Sequence, residues 1–199
     1  MILYGMGGHA KVVKSALLDL GADVIGYFDD EESKINENDL AVFRYNPELF
    51  PNDQLILTIG NNALRASVSK SVYHKIGKCI SNRAIVDSKV RCGFGTVVLQ
   101  GAIVQSDVVI SNHCIINTGA QIDHDCFIAD FVHIAPGAVL CGGVRVGEGA
   151  LIGANATILP NLKIGAWAVV GAGSVVVNDV QSNSIVLGNP AKKLPYEKK

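Results

Sequence analysis

A histidine stands between two aspartates in the stretch IDHDC, residues 122–126. An imidazole ring titrates near neutral pH, and a neighbouring carboxylate both orients the ring and raises the pKa of the histidine. His124 could therefore act as a general base in acyl transfer, with Asp123 or Asp125 holding the ring. A solvated surface triplet can have the same sequence. Which interpretation applies depends on the structure in which these residues lie.

A glycine-rich stretch near the N-terminus, GMGGHA at residues 5–10, indicates a second kind of chemistry. It follows a predicted strand and opens a predicted helix, whose N-terminus offers free N–H groups to a diphosphate. Asp29 and Asp30 end the next predicted strand, where a carboxylate suits a ribose hydroxyl or a base N–H. The turn at residues 60–62 would line the same edge of the sheet. These features favour a nucleotide-diphosphate ligand, and a purely structural turn or a nicotinamide-dinucleotide site remain the alternatives.

The elements that would position His124 follow a six-residue period. From Ile80 to Val176 every sixth residue is apolar, and the residue four places further on is nearly always small. This period predicts a solenoid of short flat strands with a corner every six residues, three sides to a coil, and five to six coils between residues 80 and 181. We expect the aliphatic residues to point inward and recurrent glycines such as Gly147 and Gly153 to supply the backbone freedom that a corner needs.

This frame places Asp123, His124 and Asp125 on the outer surface, between the inward Ile122 and the small Cys126. His133 follows one repeat later and is expected on the adjacent side of the prism. His74 and His113 have no comparable setting, and we expect them on the surface too. Large apolar residues at non-core positions would form flat outer faces of the kind found at interfaces: Phe127, Phe131 and Trp167. These features predict a homotrimer in which His124 of one chain approaches His133 of another.

The first 78 residues have a different pattern, in which strands alternate with helices. The predicted strands are MILYG, DVIGYFDD, LAVF and QLILTIG, and the predicted helices cover residues 7–21 and 61–77. Such alternation predicts a parallel α/β sheet. We therefore divide the chain into an α/β domain, residues 1–78, and a β-helix domain with a C-terminal tail, residues 79–199.

Composition excludes several classes of function. The net charge is −1, without the basic footprint of a nucleic-acid-binding protein. No apolar run approaches the ~20 residues of a membrane span, and the N-terminus does not resemble a signal peptide. The five cysteines form no CxxC pair, which argues against a disulfide framework or a cysteine-rich zinc site. We expect a cytoplasmic protein with reduced cysteines and no bound metal.

Seven stretches, in this order and spacing, resemble the NeuD/PglD-type sugar acetyltransferases of the hexapeptide-repeat superfamily: ILYGMGGHAKVV, GYFDD, LTIGNN, NTGAQIDHD, HIAPGAVLCGGVRVG, ATILPNLKIG and LGNPAKK. The resemblance implies a short Rossmann-like α/β domain that binds a nucleotide sugar. It also implies a left-handed parallel β-helix that binds acetyl-CoA. The handedness comes from the resemblance alone.

The resemblance also implies roles for individual residues. His124 would be the catalytic base and Asp125 its partner, although family members can have Glu at both acidic positions and the shorter Asp leaves the geometry open. The implied substrate-binding residues are Gly7, Gly8, His9, Asp29, Asp30, Gly60, Asn61, Asn62 and Asn117. The implied acetyl-CoA-binding residues are His133, Gly142, whose backbone N–H would hold the oxyanion, Gly171 and Lys192.

Together these features predict an acetyl-CoA-dependent N-acetyltransferase. Its substrate would be the 4-amino group of a UDP-linked 4-amino-4,6-dideoxy sugar, as in bacillosamine-type glycan synthesis. O-acetylation of sialic acid or another sugar is the alternative within the family. A non-catalytic β-helix scaffold is the alternative from another class, and turnover of acetyl-CoA would distinguish it.

Overall fold

The computed structural model describes residues 1–31 and 42–194. Its N-terminal part alternates strands and helices, with elements β1 (Ile2–Tyr4), α1 (Gly8–Asp19), β2 (Gly26–Phe28), β3 (Val42–Phe43), β4 (Leu55–Leu57) and α2 (Asn62–Ser69). The four strands form one parallel sheet in the order β3-β2-β1-β4, as the alternating pattern predicts. The first two residues of the predicted strand LAVF, 40 and 41, lie outside the described residues.

Helix α2 is shorter than predicted. The sequence pattern extends the helix to residue 77, but the helix ends at Ser69. The Ser69 hydroxyl donates to the carbonyl of Ala66 at 2.9 Å, and the Ser71 hydroxyl donates to the carbonyl of Val68 at 2.9 Å. Serine side chains that bond to nearby carbonyls compete with the helical pattern, which explains the early end.

Beyond residue 78 the chain forms a parallel β-solenoid whose two-residue strands pair with strands 18 residues away, as in Ile115 with Val97. The first side contains β5 (Cys79–Ile80), β8 (Val97–Val98), β11 (Ile115–Ile116), β14 (His133–Ile134), β17 (Leu151–Ile152), β20 (Val169–Val170), β22 (Ile185–Leu187) and the antiparallel β23 (Lys192–Lys193). The second side contains β6 (Ile85–Val86), β9 (Ile103–Val104), β12 (Gln121–Ile122), β15 (Val139–Leu140), β18 (Thr157–Ile158) and β21 (Val175–Val176). The third side contains β7 (Arg91–Cys92), β10 (Val109–Ile110), β13 (Phe127–Ile128), β16 (Arg145–Val146) and β19 (Lys163–Ile164).

The predicted inward residues fill the solenoid. Every sixth residue from Val98 to Val176 is at most 2% exposed, and these residues share one core. Burying one such aliphatic side chain contributes about 1.5–3 kcal/mol, so the stacked columns are the main source of stability. Ile80, Val86 and Cys92 are only partly buried, because the first coil has a neighbouring coil on one side only. The six-residue period therefore predicted the solenoid core correctly.

From residue 95 to residue 173 each corner contains one residue with a left-handed backbone, six residues after the previous one. The positions run from Gly95, with φ 69°, to Gly173, with φ 67°. About half are not glycine: Asp107, His113, Asp125, Phe131, Asn155, Asn161 and Trp167. Side chains at positive φ are sterically disfavoured, and Asn and Asp tolerate the conformation best.

The expected reason for the recurrent glycines was wrong. Gly147 and Gly153 are not the residues with positive φ. A Cβ atom on Gly147 would lie 2.5 Å from the backbone nitrogen of Ala166, and one on Gly153 would lie 2.6 Å from that of Ala172. These glycines are needed because the backbone of the next coil approaches closely.

The α/β part packs against the first side of the solenoid. The outward residues Cys79, Val97 and Ile115 are at most 1% exposed and share a core with Val13 and Leu17 of helix α1. Because this core is continuous across the chain, the division at residue 78 stays a prediction. No helix within residues 1–31 and 42–194 is long and apolar enough to cross a membrane.

Arg65 of helix α2 joins the two parts through hydrogen bonds, and its side chain is only 1% exposed. Its Nε donates to the carbonyl of His113 at 2.9 Å, and one terminal nitrogen donates to the carbonyl of Phe131 at 2.8 Å, both in the solenoid. That nitrogen also donates to Asn62 Oδ1 at 2.9 Å, and the other terminal nitrogen donates to the carbonyl of Ile59 at 2.8 Å. The guanidinium group therefore bonds to both parts at once.

The charge of Arg65 has no carboxylate partner within ion-pair distance among the described residues. Burial lowers the pKa of Arg65 to about 10, so the group remains charged at neutral pH. A buried cation is tolerated only when its N–H groups are hydrogen-bonded. The backbone carbonyls around Arg65 therefore stabilise it in place of an acidic side chain.

Arg65→Leu should lower the free energy of unfolding by about 2–4 kcal/mol, because buried carbonyls lose their donors. Urea denaturation followed by circular dichroism measures this difference. Arg83→Gln is the matched control, since Arg83 forms an ion pair with Asp19 at 3.0 Å while 67% of its side chain is exposed. That variant should lose less than about 1 kcal/mol. Equal losses in both variants would contradict a special role for Arg65.

Candidate active site

His124 and Asp125 form a close pair at the corner between β12 and β13. Asp125 is the left-handed corner residue, with φ 60°, and His124 precedes it. His124 Nδ1 and Asp125 Oδ2 are 2.7 Å apart, so the carboxylate accepts from Nδ1–H and leaves Nε2 as the acceptor of the neutral ring. Asp123 Oδ1 accepts from the backbone N–H of His124 at 2.8 Å and lies 3.9 Å from Nε2. Asp125 therefore makes the close contact with the ring.

The neighbouring carboxylates change the titration of His124. They raise its pKa above the ordinary value, chiefly through the hydrogen bond with Asp125 and next through the charge of Asp123. The side chain is 61% exposed, so solvent reaches the ring. His124 Nε2 is thus exposed, can accept a proton, and belongs to a ring whose pKa is raised. These properties suit a general base.

Gly142 lies against the His124 ring, one coil further along the solenoid. A Cβ atom at Gly142 would lie 2.8 Å from His124 Nε2, so any side chain there would displace the ring. The carbonyl of His124 accepts from the N–H of Gly143 at 2.9 Å, which fixes the two coils to each other. The Gly142 N–H itself donates to no atom within residues 1–31 and 42–194. A backbone donor is thus available beside the ring.

Two cysteines near this corner do not compete with His124 as reactive groups. Burial raises the pKa of Cys126 to about 11, and it also raises the pKa of Cys141. Both thiols are therefore protonated at neutral pH and are poor nucleophiles. The five cysteines are free, and no three His, Cys, Asp or Glu side chains of the described chain are placed to hold a metal ion.

A cavity of about 660 Å³ opens at the carboxyl-terminal ends of the strands in the α/β sheet. Six predicted substrate-binding residues line it: Gly7, Gly8, His9, Asp29, Asp30 and Gly60. Apolar side chains of Ile59, Leu64 and Val68 complete the wall. Ligand sites in parallel sheets lie at this edge, and the volume falls in the range of small-molecule sites.

The two aspartates of the cavity are held by different donors. Asp29 accepts from the backbone N–H groups of Met6 at 2.7 Å and Glu31 at 3.0 Å, so it shapes the glycine-rich turn. Asp30 accepts from the Tyr4 hydroxyl at 2.9 Å. Asp29 is thus tied to the turn that the diphosphate would approach, and Asp30 faces the cavity from the end of β2.

Asn61 and Asn62 make structural contacts. The Asn61 side chain caps helix α2 by accepting from the N–H of Leu64 at 2.9 Å. The Asn62 side chain donates to the carbonyls of Gly149 and Ala150, both at 3.1 Å, in the solenoid. Neither asparagine lines the cavity as Gly60 does. Their predicted contact with the nucleoside stays a prediction.

His133 faces the α/β part from the first side of the solenoid. Its Nε2 lies 3.0 Å from Asn117 Nδ2. Burial lowers the pKa of His133 to about 4, and the charge of Arg65 and the nearby His9 add to this effect, against a hydrogen bond with the Gly60 backbone. Burial likewise lowers the pKa of His9 to about 4. The structure therefore places His133 near His9 and Gly60 of the cavity lining, with Asn117 beside it.

The expectation that His74 and His113 lie on the surface was wrong, since they are 6% and 5% exposed. His74 packs beneath the α/β sheet, where its Nε2 is 2.9 Å from the carbonyl of Leu49. The His113 ring stacks on Phe131 at 5.2 Å between centroids, next to Arg65. The six-residue frame puts position 113 on an outer corner, but it does not show that the α/β part covers that corner.

The remaining predicted acetyl-CoA residues lie towards the other end of the solenoid. A Cβ atom at Gly171 would lie 2.8 Å from Leu187 Cβ, and the Gly171 N–H donates to the carbonyl of Val186 at 2.8 Å. Lys192 is exposed on β23. Neither lies beside His124, so their assignment stays a prediction.

The cavity contains residues that the sequence analysis did not single out. Tyr4 ends β1, and Thr58 follows β4, where its hydroxyl donates to the carbonyl of Gly5 at 2.6 Å. Leu64 and Val68 lie four residues apart on helix α2. Tyr4 and Thr58 lie at strand ends, and Leu64 and Val68 lie on one helix face. These positions could have predicted that the four residues line the cavity.

Comparison with known proteins gives matches to both parts of the chain. Residues 1–72 match the family model described as the PglD N-terminal domain, and residues 125–160 and 143–178 match the bacterial transferase hexapeptide, six repeats. A structure of perosamine N-acetyltransferase from Caulobacter crescentus, a histidine-to-asparagine variant in complex with CoA and GDP-perosamine, is similar over 98% of this chain and 96% of its own. It has 34% identity and a TM-score of 0.93.

The chain belongs to the NeuD/PglD-type sugar acetyltransferases. Two further solved structures are similar over 97% of this chain and 98% of their own, each with a TM-score of 0.87. They are the acetyltransferase domain of PglB from Neisseria gonorrhoeae, at 33% identity, and WeeI from Acinetobacter baumannii, at 27% identity. Comparison with curated protein sequences gives no match. As a member of this family, the chain is an acetyl-CoA-dependent sugar acetyltransferase with acetyl-CoA as co-substrate.

The carboxylate contact of His124 leads to a pH prediction. The ring can accept a proton only above its pKa, so kcat/KM should fall as the pH drops through that value. Because Asp125 is the main cause of the raised pKa, Asp125→Asn should move this acid limb to lower pH and also reduce the maximum rate. Asp123→Asn, the matched control, should move the limb less. A larger shift in the Asp123 variant would transfer the partner role to Asp123.

Proposed function

We propose that this protein transfers the acetyl group of acetyl-CoA to the amino group of a nucleotide-linked 4-amino-4,6-dideoxy sugar, with His124 as the general base. The observation that carries the proposal is the exposed His124–Asp125 pair, with 2.7 Å between Nδ1 and Oδ2. The relatives support the choice of an amine as acceptor, because the Caulobacter structures are of perosamine N-acetyltransferase.

In the proposed reaction, His124 Nε2 removes a proton from the sugar amine as the nitrogen attacks the acetyl carbonyl. Asp125 holds the ring by its Nδ1–H and stabilises the imidazolium that results. The protonated His124 can then return the proton to the departing thiolate. The Gly142 N–H, which has no acceptor in the part of the chain that the structure describes, would donate to the oxyanion of the tetrahedral intermediate, a role worth about 3 kcal/mol in acyl-transfer enzymes.

The nucleotide would occupy the cavity of the α/β part. The turn at Gly7 and Gly8 would approach the diphosphate, since a Cβ atom at either position would meet nothing within 4 Å and the backbone is thus open to a ligand. Ile59, Leu64 and Val68 would pack against the base. The substrate proposed first is a UDP-linked sugar of the bacillosamine type, which the family resemblance implies.

A GDP-linked amino sugar is the second candidate. The Caulobacter structures contain GDP-perosamine, and they are more similar to this chain by TM-score than the Neisseria domain, at 0.93 and 0.92 against 0.87. The acidic residues of the cavity are also compatible with guanine, whose N–H and NH₂ groups on one edge can donate to a single carboxylate. Uracil offers one N–H group.

The two halves of the proposed site lie on different parts of one chain, which favours a site shared between copies in a homotrimer. His124 lies at the corner opposite the first side, and the α/β cavity adjoins that side. Two of the three large apolar residues expected at the interface pack within the chain, because Phe131 stacks on His113 and Trp167 lies over Gly149. The second side is the better interface, because its outward residues are mostly apolar: Ile85, Ile103, Val139 and Val175.

Turnover tests the function directly. CoA release should be observed with a UDP- or GDP-linked 4-amino sugar and not with sialic acid, because the proposal requires both a nucleotide and an amine. His124→Ala should lower kcat by about 10²–10⁴ without changing the melting temperature. Release with sialic acid alone would favour O-acetylation, and no release with any acceptor would favour a scaffold.

Subunit mixing tests the shared site. Gly8→Val should raise the KM for the sugar nucleotide at least about tenfold, because the added side chain fills the cavity without an internal clash. Alone, this variant and His124→Ala should be weakly active. Refolding them together should restore activity, because some interfaces then combine an intact cavity with an intact His124. Light scattering should give three times the 21.0 kDa chain mass. No restoration in mixed trimers would place the complete site within one chain.

A further inference from the structure

Two cationic side chains lie next to each other on the third side of the solenoid. Arg145 on β16 and Lys163 on β19 occupy directly opposed positions, and both are exposed. They are the only Lys or Arg residues between residues 100 and 180. Like charges that face each other on neighbouring strands destabilise a sheet. Scattered surface charges would not be expected to coincide in this way.

Within residues 1–31 and 42–194, no acidic side chain forms an ion pair with the Arg145 guanidinium or the Lys163 ammonium. Asp179 is nearby, but its Oδ1 accepts from the backbone N–H of Lys163 at 2.8 Å rather than from the ammonium group. The pair is therefore an unneutralised positive site, which an anion would stabilise.

The aromatic ring of Phe127 fixes the position of Arg145. The guanidinium carbon lies 5.2 Å from the ring centroid, within the range of a cation–π contact. Phe127 is on β13, in register with Arg145 and three residues after His124. The guanidinium group is thus held on the side that adjoins the His124 corner.

The spacing suits a long ligand that reacts at His124. Neighbouring strands are about 4.8 Å apart, so Arg145 and Lys163 lie about 5 and 10 Å along the solenoid axis from the coil of His124. Both are in register with Phe127, three residues beyond His124, which adds about 10 Å across the third side. Acetyl-CoA has its thioester at one end of an uncharged pantetheine arm and its phosphates at the other. With the thioester at His124, an arm that follows the third side would bring the phosphates to these cations.

We propose that Arg145 and Lys163 bind the phosphate groups of acetyl-CoA while its acetyl group reacts at His124. Arg145 supplies a planar donor fork and Lys163 a point charge, and both are common in phosphate recognition. The inference rests on the proposed function for the position of the thioester. It makes the two residues determinants of co-substrate specificity, since they distinguish acetyl-CoA from shorter acetyl thioesters.

The C-terminal tail offers a rival phosphate site. Lys192 and Lys193 form β23, and Lys193 Nζ donates to Gln181 Oε1 at 3.3 Å. These lysines lie beyond β22, at the end of the solenoid, whereas Arg145 is in the coil next to that of His124. The experiment therefore includes the tail as a separate arm.

Steady-state kinetics with acetyl-CoA, acetyl-3′-dephospho-CoA and S-acetylpantetheine test the proposal. The double variant Arg145→Gln, Lys163→Gln should raise the KM for acetyl-CoA about 10- to 100-fold at unchanged kcat, the loss expected for charge-assisted hydrogen bonds. The KM for S-acetylpantetheine, which has no phosphate, should not change. The dephosphorylated compound shows whether the 3′-phosphate or the diphosphate is bound.

One matched control and one rival variant make the result specific. Arg91→Gln removes a cation from the same side but at the other end, and it should not change the KM for acetyl-CoA. Lys192→Gln, Lys193→Gln removes the cations of the rival tail site, and it should raise this KM less than the double variant does. Equal losses with S-acetylpantetheine, no loss in the double variant, or the same loss in the tail variant would each overturn the proposal. Calorimetric titration of CoA into the protein gives the affinity without turnover, so a failure of the proposed reaction is distinguishable from a failure of the phosphate site.

Discussion

A left-handed backbone at every sixth residue is the constraint on which the solenoid depends. The chain must turn at each corner, and from Gly95 to Gly173 it does so through a residue with positive φ. Most side chains resist this conformation, and aspartate is among those that tolerate it best. Asp125 occupies such a corner, and its side chain reaches back to the preceding histidine. The same turn that closes the coil therefore positions the carboxylate beside the proposed base.

The second organising feature is the joint between the α/β part and the solenoid. Arg65 bonds to the backbone of both parts, so it fixes the end of helix α2 against the solenoid. The side chain of Asn62 adds two bonds across the same joint. Both residues follow the turn at Gly60, which lines the cavity. A rigid joint at this place determines how the cavity is oriented relative to the first side of the solenoid.

The sequence was sufficient for the parts of the structure that repeat or that follow strand ends. The six-residue period predicted the core from Val98 to Val176. The glycine-rich turn and the two strand ends after it predicted six of the thirteen residues that line the cavity. The sequence was insufficient for features that depend on packing between residues far apart in the chain. The burial of His113 and the role of Arg65 both depend on contacts across the joint, about 50 residues apart in the chain, and no local pattern records such a contact. The early end of helix α2 depended on serine side chains whose competing bonds a helical periodicity does not reveal.

Because each strand pairs with the strand 18 residues away, the solenoid can change its length only by whole coils. An insertion of any other length would have to leave the coil as an outward loop, because a shift within a strand would turn the inward column to the surface. Whole coils can be gained or lost near either end with the local packing unchanged. Between His124 and Lys163, however, each coil adds about 4.8 Å along the axis, so removing one coil would bring these two residues closer by that amount. The number of coils there therefore sets the length of molecule that the surface can match.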